Sequence, residues 1–192
     1  KGQTFSITYE TLGQGSPVLL LPAFSTVSTR EEMRGLAERL ARHLQVFTID
    51  WLGFGQSARP ALDYERSLYH KLLKDFVSEV FDTPVAVIAA GHAAGYAMQL
   101  APQQPSPWSK IILVAPTWRG PLPTMGASAS VAGMLRGLVR SPLIGQVLYK
   151  LNTTPSFLSW MYHRHVYADT TKLTPEFIDR KHQITQQSGA RF

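Results

Sequence analysis

Cysteine is absent from the 192 residues, which excludes disulfides, thiolate nucleophiles and thiolate metal ligands and fits a reducing, cytoplasmic compartment. No stretch approaches the roughly 18 uninterrupted apolar residues of a membrane span. The longest apolar runs, residues 17–24 and 84–90, are strand-sized. The first residues lack the charged-then-apolar pattern of a signal peptide. They begin with Lys1 rather than methionine, so a natural N-terminus is expected upstream. There is no internal repeat, no low-complexity tract and no block of like charge. The net charge of +6 is dispersed over Arg30, Arg34, Arg39 and Arg42 on one expected helix and Arg136, Arg140, Lys150 and Arg164 further on. It reads as a solvated surface, with peripheral contact to an anionic membrane or an acidic partner as the alternative. No nucleic-acid-binding motif accompanies it, so no nucleic-acid partner is expected.

What is present is an alternation of short apolar runs and helical periodicities. Residues 5–12 alternate imperfectly and end at Gly13-Gln14-Gly15, an edge strand and turn. Residues 18–21, 45–49, 85–90 and 111–115 are further strands. Between them Met33, Leu36, Ala37, Leu40 and Ala41 form one helical stripe, opened by an apparent capping box at Ser28-Thr29-Arg30-Glu31. Tyr69, Leu72, Leu73, Phe76, Val77 and Val80 form a second stripe, and residues 94–100 a third helix. Continuously apolar strands separated by helices predict a parallel sheet covered on both faces. After Pro121 the alternation stops: residues 129–140, 144–151, 156–167 and 175–187 all read as helices, with Gly120-Pro121-Leu122-Pro123 as the hinge. The expected organisation is a core over residues 1–120 and a helical cap or lid over 121–192.

The pattern that carries chemistry is the strand at 85–90 followed by Gly91-His92-Ala93-Ala94-Gly95 and a helix. A nucleophile elbow needs a sharp strand-to-helix turn that exposes one strained central residue, with glycines where side chains would strike backbone. By this spacing Ala93 stands at the nucleophile position, and alanine offers nothing to form an acyl-enzyme. Small residues that merely ease helix–strand packing would give the same glycines, but the strand–turn–helix setting favours the elbow. His92, beside the centre, packs under neighbouring loops or lines a binding site. His163 and His165 lie two apart and face away from each other on a helix, so no metal site is expected. Ser28 reads as a cap. Trp118 and Arg119 follow a strand at the sheet edge where ligands bind in open α/β folds, Arg119 either meeting an anionic group or anchoring the cap. Phe157, Trp160, Met161 and Tyr162 are helix-spaced aromatics and a thioether that either fill a core or line a pocket.

Two more segments complete the pattern: Leu19-Leu20-Leu21-Pro22-Ala23-Phe24 and Asp50-Trp51-Leu52-Gly53-Phe54-Gly55-Gln56-Ser57. With the elbow they resemble the α/β-hydrolase superfamily over residues 5–117. The resemblance implies a mostly parallel sheet with a helical cap inserted after the strand at 111–115, and C-terminal strands that this chain lacks. It implies an oxyanion hole made by the N–H groups of Phe24 and Ala94, a turn tied together by Asp50, a catalytic acid and His beyond residue 192, and no cofactor. It implies a small apolar or ester-like ligand. More narrowly, Ala115-Pro116-Thr117-Trp118-Arg119-Gly120-Pro121-Leu122-Pro123 and the Gly-His-Ala-Ala turn are similar to hydrolase-like proteins of cyanobacteria and chloroplasts, which implies proximity to photosynthetic membranes. Three functional readings stay open: a hydrolase relative made inactive by a natural Ala93, an esterase-like or lipase-like serine hydrolase carrying an engineered Ser-to-Ala change there, and a binding or scaffold protein that keeps the pocket without the chemistry.

Overall fold

The computed structural model describes residues 4–25, 27–117, 141, 144–187 and 189–190. By its internal contacts the chain divides into two units, residues 1–119 and 120–192.

The apolar runs of the first unit become strands because they can be buried on both faces. Strand β2 (Pro17–Leu21) holds Leu19, Leu20 and Leu21 with no exposed surface, each side chain stabilising the fold by about 1.5–3 kcal/mol. Around it lie β1 (Tyr9–Leu12), β3 (Gln45–Ile49), β4 (Val85–Ala90) and β5 (Trp108–Val114), in the order β1-β3-β2-β4-β5. The β2–β3, β2–β4 and β4–β5 pairs are parallel, and β1 runs antiparallel along β3. Helices α1 (Arg34–Leu40), α2 (Arg66–Val80) and α3 (Ala93–Leu100) supply the crossovers. One cluster gathers Leu19, Leu21, Trp51, Leu73, Val87 and Ala97; a second, with Val18, Leu20, Met33, Ala37 and Val46, lies under α1. The mostly parallel α/β architecture expected from the sequence is the one observed.

Four local expectations are corrected. The first strand is Tyr9–Leu12 rather than 5–12. Leu36 stands 37% exposed at the border of its stripe. The helix after Thr29 opens as a 3-10 turn (Arg30–Met33) with no side-chain cap at its start; the Ser28 hydroxyl instead lies 2.9 Å from that of Ser25. Finally, β5 stands at the edge of the sheet formed by the described residues, with Ile112, Leu113 and Val114 36–47% exposed.

Among its described residues the second unit is helical: α4 (Ile144–Asn152), α5 (Pro155–Met161) continuing into a π-turn (Tyr162–Val166), a 3-10 turn (Thr170–Lys172) and α6 (Pro175–Thr185). Both α5 and α6 start at a Thr-Pro pair. The hydroxyl of Thr154 or Thr174 accepts from the N–H three residues on, and proline fills the first helical position. Tyr149 donates to the Thr185 carbonyl at 3.0 Å, joining α4 to α6. The helix expected at 129–140 and the hinge at 120–123 lie outside the described residues.

Candidate functional site

Strands β2, β3, β4 and β5 are parallel, so the segments that leave them, beginning at Pro22, Asp50, Gly91 and Ala115, emerge at one edge of the sheet. This is where open α/β sheets bind ligands. The turn after β3 is organised by Asp50, which is fully buried. Its carboxylate accepts from the Arg30 N–H at 2.7 Å and the Gln56 N–H at 3.0 Å, and pairs with the Arg30 guanidinium. The carboxylate therefore does for the 3-10 turn what a local cap would have done, placing negative charge at exposed N–H groups. Gly55 is obligatory here: at φ +50, a Cβ would overlap the Asp50 carboxylate. The structural role expected for Asp50 thus has a full set of partners.

The strand-to-helix turn departs from the expected geometry. Strand β4 ends at Ala90, and the residue that takes the left-handed conformation is Gly91, at φ +54. His92 has helical angles (φ −67, ψ −27), and Ala93 is already the first residue of α3, with no exposed surface. The apex of the turn is Gly91, two residues before the position the Gly-x-x-x-Gly spacing indicates. Gly91 is held on both sides, its N–H donating to Val114 O at 3.0 Å and its carbonyl accepting from the Thr117 N–H at 3.1 Å. A Cβ on Gly91 would point at the loop after β2, 3.1 Å from the Cβ of Ala23.

The shift also moves the available donors. The Ala94 N–H, expected to face an oxyanion, donates to Gly91 O at 3.3 Å, and Ala94 is buried. Among the described residues, the N–H groups of Phe24 and His92 donate to no protein acceptor. They sit one residue beyond Ala23 and Gly91, the two positions in near contact.

Phe24 anchors a cluster of rings beside this turn. Its ring centroid lies 4.7 Å from Trp51, 4.7 Å from Tyr69, 5.3 Å from Tyr96 and 5.5 Å from Phe54. The Trp51 indole donates to Pro22 O at 2.9 Å, fastening the loop after β2 to the loop after β3. Tyr69 donates to Leu52 O at 3.1 Å, and burial pushes its phenol well above the usual tyrosine range, so it is a permanent donor. Burial raises the Tyr96 phenol as well. Trp51 and Tyr96 carry no motif, and Tyr69 reads in the sequence only as one more member of a buried stripe. Their convergence depends on the sheet order. Ala115, at φ +43, is a non-glycine residue in the left-handed region at the same edge.

Trp118 and Arg119 lie outside the described residues. Trp160 belongs to the second unit and is 55% exposed. The Nδ1 of His163 is 2.8 Å from the Ser159 carbonyl, and the His165 side chain is outside the described residues. A groove of about 270 Å³ between the ends of α2 and α3, lined by Lys74, Phe81, Asp82 and Pro107 among others, lies at the amino ends of β4 and β5, opposite the turn.

The profile of the alpha/beta hydrolase family matches residues 18–189. The chain belongs to that family. Over 103 residues it is 32% identical to an uncharacterized protein of Mycobacterium tuberculosis, covering 54% of this chain and 30% of that one. Over 91 residues it is 33% identical to the 2-hydroxy-6-oxo-6-(2'-aminophenyl)hexa-2,4-dienoic acid hydrolase of Metapseudomonas resinovorans, covering 45% of this chain and 31% of that one. These alignments span about a third of the length of the curated relatives. In structure the chain is similar to wild-type Cfl2 from Burkholderia cenocepacia, with a TM-score of 0.75 at 17% identity over 97% of this chain and 64% of that one. That likeness concerns the fold.

Proposed function

We propose that this hydrolase-family chain binds a small apolar ligand carrying a carbonyl or carboxylate group and does not turn it over by acyl transfer. The observation that carries the reading is the glycine at the apex of the strand-to-helix turn, with Ala93 buried behind it in α3. Neither residue can attack a carbonyl. The N–H groups of Phe24 and His92, which meet no acceptor among the described residues, supply donors of the kind that hold such an oxygen, and the Phe24–Trp51–Tyr69–Tyr96 rings supply apolar surroundings. The narrower likeness to cyanobacterial and chloroplast hydrolase-like proteins agrees with a natural rather than engineered alanine.

The competing reading is an esterase whose serine was changed to Ala93. It requires a side chain at 93 to reach a bound carbonyl, and the complete burial of Ala93 in the first turn of α3 weighs against that. The experiment assays the full-length protein and its Ala93→Ser variant on short and long acyl esters, and titrates matching carboxylic acids by calorimetry. Neither protein is expected to exceed the ~10³–10⁴-fold acceleration over water that donors and binding alone leave, while the acids bind. Robust turnover by Ala93→Ser would restore the enzyme reading, and failure to bind any acid would remove the ligand reading.

A further inference from the structure

The positive charge of the chain is unevenly divided. Residues 120–192 carry eight Lys and Arg against three Asp and Glu, whereas residues 1–119 carry eleven against ten. Almost the whole net charge of +6 thus belongs to the second unit.

The same unit exposes large apolar side chains selectively. On α4, Val147 and Leu151 are 58% and 60% exposed, one helical turn apart, with the exposed Lys150 beside them. The other side of that helix is held inward: Gly145 is buried, and Tyr149 bonds to Thr185 and is partly buried. On α5, Leu158 is buried while Trp160 is 55% exposed, and the exposed Arg164 follows one turn later. The two helices are in contact and are joined through the buried Thr153, whose hydroxyl donates back to Tyr149 O at 2.8 Å. Each helix therefore anchors one side and leaves aliphatic or indole surface in water beside a cation.

Protein-binding patches concentrate apolar groups and are depleted of lysine at their centres. Here Lys150 lies directly beside the Val147–Leu151 pair. Interleaved Trp, aliphatic and Lys/Arg side chains match a lipid–water interface, where cations stay at the headgroups while apolar side chains enter the acyl boundary. We infer that the exposed side of α4–α5 docks on the surface of a bilayer containing anionic phospholipid. Both components are needed: the charge draws the unit to the surface and Val147, Leu151 and Trp160 hold it there.

The test is co-sedimentation of the chain with vesicles of phosphatidylcholine, alone or mixed with phosphatidylglycerol, at low and high salt. The chain is expected to pellet with the anionic vesicles and to be released by salt. Lys150→Gln and Arg164→Gln should each weaken binding about fivefold, and Trp160→Ser about tenfold. These side chains are exposed, so circular dichroism of the variants should match the parent. Equal binding to neutral vesicles, or no binding to either, overturns the proposal. Binding to anionic vesicles that Trp160→Ser and Val147→Ser/Leu151→Ser leave unchanged also overturns it, because attraction by overall charge would then suffice without this face.

Discussion

A side chain at residue 91 would have to adopt φ +54 and bring its Cβ within 3.1 Å of the Ala23 Cβ. Glycine avoids both costs, and the turn can then press against the loop after β2. Gly91→Ala should lower stability by about 1–2 kcal/mol, the penalty of a left-handed conformation for an L-residue, with the contact to Ala23 adding to it. Urea unfolding checks this as a lower midpoint at unchanged slope. A substitution as stable as the parent would mean that the backbone relaxes away from this geometry. Alanine at 93 carries no such constraint: it is an ordinary buried helical residue.

Elements in this fold are joined by bonds between distant parts of the chain, and that governs how much the sequence discloses. The buried Asp50 serves the 3-10 turn at Arg30–Met33 and the turn at Gln56 together. Asp50→Ala strips both, leaves the mostly buried Arg30 guanidinium with only the more distant Glu10 carboxylate, 3.7 Å away, as counter-charge, and should cost about 3–5 kcal/mol. Thermal or urea unfolding would show it. A loss below about 1 kcal/mol would mean that water replaces the carboxylate. The parallel pairing of the strands from β2 onward, the α2 stripe and the helix from residue 175 are legible because each rests on local periodicity, and the turn role of Asp50 follows from the family resemblance. The opening of the first helix is not, since its cap comes from 20 residues away. The apex of the elbow is half legible. The frame from Gly91 to Gly95 and the frame Ala89-Ala90-Gly91-His92-Ala93 both place small residues around a centre, and only the backbone distinguishes them. The ring cluster around Phe24 was hidden because Trp51, Tyr69 and Tyr96 meet through sheet order, not spacing.

At the scale of the molecule, β5 closes one side of the described sheet with Ile112, Leu113 and Val114 in solvent. Flat apolar edges recruit further strands. The 192-residue chain should therefore self-associate as its concentration rises, and Ile112→Lys should suppress this without lowering the melting temperature, because Ile112 is already 47% exposed. Light scattering over a concentration series decides it. Identical scattering by the two proteins would place the association elsewhere, the apolar surface of α4 and α5 being the next candidate.

The Asp50 carboxylate also has a consequence in time. The Arg30 and Gln56 amides lie 26 residues apart in sequence yet end on the two oxygens of one group. Neither can open to solvent by fraying alone while the other stays closed and keeps the carboxylate in place. Under native conditions their deuterium uptake should follow one opening event, with matching free energies and matching denaturant dependence. The loop after β2 and the turn after β3 would then be a single breathing unit at the mouth of the proposed ligand site, so a ligand held there should slow exchange at both amides together.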